Sequence, residues 1–221
     1  FINSIKGNLK LFNQLRRIYL GSIISAYLSV DIGKTNSDLE LLLDTNFILG
    51  LIDLNSVESH HTCTKIVDIS RKLGFKLSVL PYTIEETELL IERKSNQLEG
   101  SFFQGYLDPE SIFSACVRRK LTKTKLLQIV TNLEKTLNKE FGVFIIGNDT
   151  KYRNLAKYQY SDVLKFYNEL RGGKGWSAHH DTTAIAYVRE KRGRIKLNGN
   201  ILNGKCWFVT NTPYDIRTLN R

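Results

Sequence analysis

Leu41-Leu42-Leu43-Asp44-Thr45-Asn46 predicts the architecture of this 221-residue chain more directly than any other segment. Three leucines after a polar segment at 36–38 predict a short, fully buried strand. Asp44 follows where that strand ends, and an unpaired carboxylate would be costly in a core. At the carboxyl end of a parallel strand, open α/β sheets place their ligand sites. The alternative is that Asp44 is only a turn or cap residue, with Thr45 and Asn46 turning the chain and capping the next helix.

Strands and helices alternate along the rest of the chain. Further strands are predicted at 76–81, 142–147 and 206–210, and helices at 56–73, 82–93, 108–120, 124–139, 161–170 and 181–191. This alternation predicts an α/β fold with a mostly parallel sheet of four or five strands and helices on both faces. A helix over 5–26 and a link would form segment 1–38 before a domain at 39–221. That domain would carry a helical insertion at about 94–140, irregular over 94–105.

Composition and charge restrict the class of protein. The net charge of +10 favours a polyanionic partner, with nucleic acid first and an anionic membrane surface second. The longest apolar run, Ile18–Val30, is too short to cross a bilayer. Three widely spaced cysteines without a CxxC pair predict buried thiols in a reducing, cytoplasmic compartment. The chain begins at Phe1 and has no methionine, so we expect it to be part of a longer polypeptide that includes other domains.

Acidic residues recur where predicted elements begin or end. Asp44 ends the first strand, Glu85, Glu86 and Glu88 lie early in the helix after the second strand, Asp181 opens the helix before the fourth strand, and Asp215 follows that strand. In a doubly wound sheet these positions converge on one edge. Clustered carboxylates repel one another unless cations neutralise them. Oxygen ligands of this kind predict Mg²⁺ or Mn²⁺, whereas the alternative is a set of exposed helix acids and N-caps.

Four segments resemble, in order, the motifs of the PIN-domain ribonucleases. They are Leu41–Asn46, Thr83–Glu86, His180–Ala186 and Phe208–Thr212. The second motif carries an acid three residues after a small hydroxyl residue, which selects Glu86 over Glu85. The third is an Asp opening an alanine-rich helix. The resemblance covers about 39–215 and is interrupted by the helical segment.

The resemblance implies a PIN-like three-layer fold and a metal-dependent ribonuclease. The catalytic residues it implies are Asp44, Glu86 and Asp181, which would also bind the metal. The chain departs from the family at Thr212, where an Asp usually stands two residues after the position of Thr210. Asp215, one turn further on, is a candidate replacement as metal ligand. The alternative is coordination by Asn211 or Thr212 through a neutral oxygen or a water.

Polar and basic residues around these motifs predict contacts with nucleic acid. The candidates are Asn46, His180, Arg189, Lys191, Arg192, Arg194, Lys196, Thr210 and Asn211. The basic run at 189–196 leaves the helix that carries Asp181, and tyrosines alternate with basic residues at 151–167. Basic residues contact phosphates, and aromatic rings stack on unpaired bases. The alternative is a solvated basic face with tyrosines half in the core.

The expected function is cleavage of single-stranded RNA by metal-activated water. The resemblance implies products with 5′-phosphate and 3′-hydroxyl ends. One alternative is a catalytically inactive PIN-like module that binds nucleic acid or scaffolds a larger assembly. Another is a metal-dependent phosphatase acting on a small substrate, which the net charge disfavours.

Overall fold

The computed structural model describes residues 10–15, 17–18, 21, 38–98, 107–194 and 204–210. The chain divides into two compact units, Phe1–Asn36 and Ser37–Arg221. In the first unit the described residues are helical, and the remainder of the helix predicted over 5–26 lies outside them. All elements named below belong to the second unit.

The second unit alternates strands with helices. Its described strands are β1 (Glu40–Leu43), β2 (Lys76–Val79), β3 (Phe144–Ile145) and β4 (Cys206–Val209). Its described helices are α1 (Thr45–Leu51), α2 (Val57–Lys72), α3 (Pro81–Leu98), α4 (Ile112–Arg119), α5 (Lys123–Thr131), α6 (Leu133–Lys139), α7 (Thr150–Tyr158), α8 (Ser161–Leu170) and α9 (Gly175–Arg192). The predicted α/β class is confirmed.

The described strands form one sheet in the order β3-β2-β1-β4, and each neighbouring pair is parallel. β2 and β3 are added on one side of β1, and the chain then returns to place β4 on the other side. The direction of strand order therefore reverses between β1 and β4. Open α/β sheets bind ligands in the crevice outside the carboxyl ends of the strands at such a point.

Helices cover both faces of the sheet, as predicted. Leu42 and Leu43 point to opposite faces because successive strand residues alternate, and both side chains are fully buried. Leu43 packs in a core with Phe47 of α1 and Val67 of α2. Leu42 packs on the other side against Tyr187 of α9 and its neighbours. β1 is thus buried on both faces, which explains its continuous run of leucines.

The helix ends of α2 follow the sequence signals. The Ser56 hydroxyl accepts a hydrogen bond from the Ser59 N–H, as an N-cap residue does. At the other end Gly74 has a φ of 72°, the left-handed conformation that closes helices and favours glycine.

The predicted bounds of α3 were wrong at both ends. The helix begins at Pro81, the last residue of the predicted strand, because proline fits the first helical position, where its missing N–H costs nothing. It continues to Leu98, so residues 94–98 are helical. Ile91 and Ser95, one turn apart, are both buried and keep this part of the helix against the core.

The predicted insertion is helical but divided differently. α4 begins at Ile112, after a turn in which the Asp108 side chain accepts the Glu110 N–H, and Ser111 is its N-cap. The helix predicted over 124–139 is two helices separated at Asn132. The Asn132 side-chain amide donates to the Gln128 carbonyl oxygen at 2.8 Å, a local bond that competes with regular helix geometry.

Two differences affect the region near the site. α7 was not predicted, and it packs Tyr152 against Tyr187 with ring centroids 4.8 Å apart. α9 begins at Gly175 rather than at Asp181, so Asp181 lies inside the helix and is not its N-cap. α8 has the predicted bounds.

No helix in the described ranges is both long and apolar enough to traverse a lipid bilayer.

Candidate metal centre

Asp44 lies at the crevice where the strand order reverses. Its N–H donates to the Val209 carbonyl oxygen at 3.0 Å, which continues the β1–β4 ladder by one residue. Its Oδ2 accepts the Thr210 hydroxyl at 2.6 Å. Thr210, predicted to contact nucleic acid, therefore orients the carboxylate of Asp44 from the neighbouring strand end.

The interpretation of Asp44 as only a helix cap does not fit the geometry. Asp44 occupies the N-cap position of α1, but its side chain makes no capping hydrogen bond. Thr45, predicted to cap, is instead the first residue of α1. The Thr45 hydroxyl donates across the site to Glu86 Oε2 at 2.5 Å.

Glu86 extends from the second turn of α3 toward Asp44. Its Oε2 accepts from Thr45, and its Oε1 accepts the Ser177 hydroxyl of α9 at 3.3 Å. Its neighbour Glu85 is turned away and forms an ion pair with Arg153 at 2.7 Å. Of the two adjacent acids, only Glu86 reaches the cluster.

Asp181 completes the acidic cluster from α9, with its side chain only 6% exposed. Arg171, in the turn between α8 and α9, holds this carboxylate. Its Nε and Nη2 donate to Asp181 Oδ2 at 2.9 and 2.5 Å. Asp181 is thus a buried ion-pair partner before any metal is considered.

His180 lies between two of the carboxylates and is only 1% exposed. Its Nδ1 is 3.2 Å from Glu86 Oε2 and 3.5 Å from Asp181 Oδ1, while its Nε2 is 2.8 Å from the Thr83 hydroxyl. Burial lowers the pKa of His180, but the hydrogen bond to Asp181 and the charges of Glu86 and Asp44 outweigh burial and raise this pKa above its ordinary value.

The pKa of the Asp44 carboxyl is also raised, whereas a well-paired acid has a lowered pKa. Burial raises its pKa, and repulsion from Asp181 and Glu86 adds to that shift, although His180 and the Thr210 hydroxyl oppose it. Burial and the two neighbouring acids therefore disfavour the ionised form of Asp44. A bound cation would offset that penalty.

The arrangement is able to hold a metal ion. Asp44, Glu86 and His180 each offer a ligand atom, and these atoms lie within 4.8 Å of one another. Asp181 lines the same cleft of about 180 Å³, together with Arg171 and Asn46. Half-exposed Trp176 and exposed Arg93 also line this cleft. Carboxylate oxygens dominate the donors, which fits a hard divalent cation better than zinc.

Another acid at the same edge of the sheet, Asp149, was not predicted. It follows β3 and is 4% exposed. Its carboxylate accepts the Tyr82 N–H at 2.9 Å and the Arg153 Nε at 2.8 Å. Asp149 thus fixes the first turn of α3, and with it the direction of Glu86, and its oxygens are already engaged.

The basic run at the end of α9 lies at the amino ends of the strands, opposite the acidic cluster. Lys191 Nζ is 3.3 Å from Glu40 Oε2 at the start of β1, and Arg192 Nε donates to the Cys206 carbonyl oxygen at 2.8 Å. Arg189 lies over the ring of Tyr160, with 5.1 Å to the centroid, and Arg194 is exposed. Their contact with RNA stays a prediction. Lys196, Asn211, Thr212 and Asp215 lie outside the described residues.

Several residues of the site had partial or no sequence signals. Thr45 was predicted only to turn the chain and cap the next helix, and Thr83 stands one turn before Glu86 in the motif, so neither was predicted to bond to a side chain of the site. Ser177 lies one helical turn before Asp181. Because the helix was predicted to begin only at Asp181, Ser177 was not expected to lie on the same helix. Arg171 carried no signal, because only the turn between α8 and α9 brings it to Asp181.

In comparisons with known proteins, no family model, no curated protein and no solved structure matches this chain. What the site can do therefore rests on its own residues and geometry.

Proposed function

We propose that the chain is a PIN-like, metal-dependent endoribonuclease that cleaves single-stranded RNA. The observation that carries the proposal is that buried Asp44 and Asp181 line one cleft with Glu86, whose side chain is 16% exposed, at the reversal of strand order. These acids come from three of the four segments that resemble the ribonuclease motifs. They lie 42 and 95 residues apart in the chain, yet they line one cleft.

Mg²⁺ or Mn²⁺ fits the donors of this cleft. Asp44 and Glu86, whose ligand atoms lie within 4.8 Å of a ring nitrogen of His180, would hold the ion, and Asp181, which lines the same cleft, would join them through a carboxylate oxygen. Such an ion, when bound, polarises a phosphodiester, lowers the pKa of a water and stabilises the leaving oxygen.

The surrounding side chains fix the directions of these acids. Thr210 holds Asp44, and Thr45 together with Ser177 holds Glu86 by hydrogen bonds. Ligands held in place in this way do not have to be ordered when the cation and the phosphate arrive. The positions of these hydroxyl groups therefore support a binding site rather than an accidental group of acids.

The lining of the cleft favours a nucleic-acid substrate over a small phosphate ester. Trp176 is 50% exposed and packs edge-on against Tyr82, with ring centroids 5.0 Å apart, so one side of a large ring remains available. Arg93 lines the same cleft and is exposed. An aromatic ring and a guanidinium beside a metal site suit a base and a phosphate of a single strand.

The test is a cleavage assay on single-stranded RNA and single-stranded DNA, with Mn²⁺ and with EDTA. We expect cleavage of RNA with Mn²⁺ only. Asp44→Asn and Glu86→Gln should each lower the rate by at least about 100-fold, because a metal contributes several kcal/mol to the transition state. Glu85→Gln is the matched control, because this adjacent acid pairs with Arg153 outside the cluster.

The outcomes separate this function from its alternatives. Asp44→Asn with full nuclease activity would show that the metal-site hypothesis is wrong. An unaltered protein that binds Mn²⁺ and RNA without cleaving would instead support the inactive PIN-like module. The absence of an Asp at position 212 is the feature that favours this second candidate.

A further inference from the structure

We propose that Arg171 supplies, from the protein itself, the positive charge that a second cation supplies in two-ion nucleases, so that this site takes a single divalent ion. The inference rests on the proposed function. It assigns Arg171 a place next to the substrate phosphate.

Contacts of Arg171 carry the first step. Two of its nitrogens donate to a single oxygen of Asp181, Oδ2, at 2.9 and 2.5 Å. Both side chains are largely buried, with 19% of Arg171 and 6% of Asp181 exposed. Removing one partner of such a buried pair leaves the other charge uncompensated and strongly destabilises the protein. Arg171 is therefore a fixed part of the site rather than a surface charge.

Charge balance carries the second step. Arg171 is paired with Asp181, so the carboxylates of Asp44 and Glu86, which line the same cleft, are the two that a cation has to neutralise. One divalent cation neutralises them. A second divalent cation would leave the buried site with an excess of positive charge next to Arg171, which is costly in a poorly solvated environment.

The sequence carries the third step. Two-ion catalysis needs ligands for both ions. Thr212 stands where the resembling family usually has an Asp, so this chain has one acid fewer at that place. The missing carboxylate at this place and the guanidinium beside Asp181 shift the charge of the site in the same direction, and both reduce its affinity for a second cation.

The position of Arg171 defines what it would do for the substrate. Its side chain lines the same cleft as Asp44 and Glu86. A phosphodiester drawn to the cation in this cleft therefore comes within reach of the guanidinium. Arginine suits this role because its planar donors match the oxygens of a phosphate group.

The experiment counts bound Mn²⁺ by calorimetry and electron paramagnetic resonance, and measures affinity for single-stranded RNA in EDTA. The unaltered protein should bind one Mn²⁺. Arg171→Gln should bind Mn²⁺ at least about tenfold more tightly or take up a second ion, because a neighbouring positive charge is gone. The same variant should bind RNA at least about tenfold more weakly, whereas Arg171→Lys should stay close to the unaltered protein in ion count.

Arg118→Gln is the matched control, because this arginine also donates two nitrogens to one carboxylate, that of Asp53, which does not line the cleft. It should leave the Mn²⁺ count unchanged. If Arg171→Gln fails to fold, the ion count of the unaltered protein and of Arg171→Lys still decides the inference.

Two bound Mn²⁺ in the unaltered protein would overturn the inference, and Asp215→Ala would then show whether Asp215 holds the second ion. Unchanged Mn²⁺ and RNA affinities in folded Arg171→Gln would also overturn it while leaving the proposed function intact. Binding of no Mn²⁺ at all by the unaltered protein would defeat the proposed function and this inference together.

Discussion

Glu40 and Asp44 bound the same strand, yet their surroundings treat their charges in opposite ways. Glu40 is 4% exposed, and the hydroxyls of Ser78 and Tyr187 both donate to its carboxylate. Asp44 is equally buried but faces two other acids. At the residue scale, a compensated acid indicates a structural role, and an acid whose charge is under-compensated indicates a functional one.

Glu40 leads to a prediction about stability and pH. Burial raises the pKa of its carboxyl, but the hydrogen bonds from Ser78 and Tyr187 and the charge of Lys191 outweigh burial and hold this pKa below its ordinary value of 4.5. Ionised Glu40 therefore stabilises the fold above about pH 4.5, and this stabilisation is lost as the pH falls through the lowered pKa. Glu40→Gln should lower the free energy of unfolding at pH 7 by about 1–3 kcal/mol.

Urea unfolding of both proteins between pH 3 and pH 7 measures this difference. The gap between them should shrink as the pH falls below about 4.5. The matched control is Glu190→Gln, a half-exposed acid paired with Lys151 on the surface, which should change stability by less than about 1 kcal/mol. A gap that is constant across this range would contradict the assigned role of Glu40.

At the scale of elements, helix α9 runs from the carboxyl ends of the strands to their amino ends. Its first turns bring Ser177, His180 and Asp181 to the carboxyl ends of the strands, and its last turn brings Lys191 to Glu40. Asp181 and Arg192 are separated by eleven residues of helix, or about 16 Å along the axis. RNA that meets both the acidic cluster and the basic run would have to follow the length of this helix.

We expect single-stranded RNA to bind first at the mouth of the cleft. Trp176→Ala should weaken binding of single-stranded RNA by about tenfold, because stacking on one aromatic ring contributes about 1–3 kcal/mol per base. Arg93→Ala should reduce the dependence of log affinity on log salt by about 0.7, the contribution of one phosphate of a single strand. Binding titrations in EDTA at several salt concentrations measure both effects without cleavage.

Tyr158→Ala is a suitable control, since Tyr158 is 71% exposed on α7 and does not line the cleft. Equal losses for Trp176→Ala and Tyr158→Ala would rule out a specific role for the cleft. The same titration with Arg189→Ala and Arg194→Ala measures whether the basic run also meets RNA. An unchanged salt dependence in those variants would place the binding surface away from that run.

At the scale of the whole molecule, the three cysteines report on the integrity of the core. Cys63, Cys116 and Cys206 are free and buried, and each belongs to a different apolar cluster. Burial raises the pKa of Cys63 and of Cys206 to about 12. The thiolate is the reactive species, so neither thiol is activated in the folded state.

The native protein should therefore not react with an aromatic disulfide reagent at pH 8 within minutes, whereas the denatured protein should release three equivalents. Absorbance of the released thiolate measures the count. Rapid reaction of one thiol in the native state would show that its cluster opens under native conditions, and mapping the labelled residue would identify which layer does so.

The sequence by itself determined the features that depend on short-range pattern. Continuous leucines indicated β1, alternation of elements indicated the α/β class, and the order of the acids indicated that Asp44, Glu86 and Asp181 would meet. These features can be predicted locally, because burial on both faces of a strand and the position of an acid after it depend on a few consecutive residues.

Only the tertiary structure decided which charges meet across the chain. Asp181 was expected to open a helix, but α9 begins six residues earlier, because most of the stability of a helix in a protein comes from tertiary packing. Arg171 reaches Asp181 only through the turn between α8 and α9, and Lys191 reaches Glu40 only because α9 spans the sheet. Partners far apart in the chain have no local signature, so the pairing of an acid with an arginine or a lysine is a property of the fold.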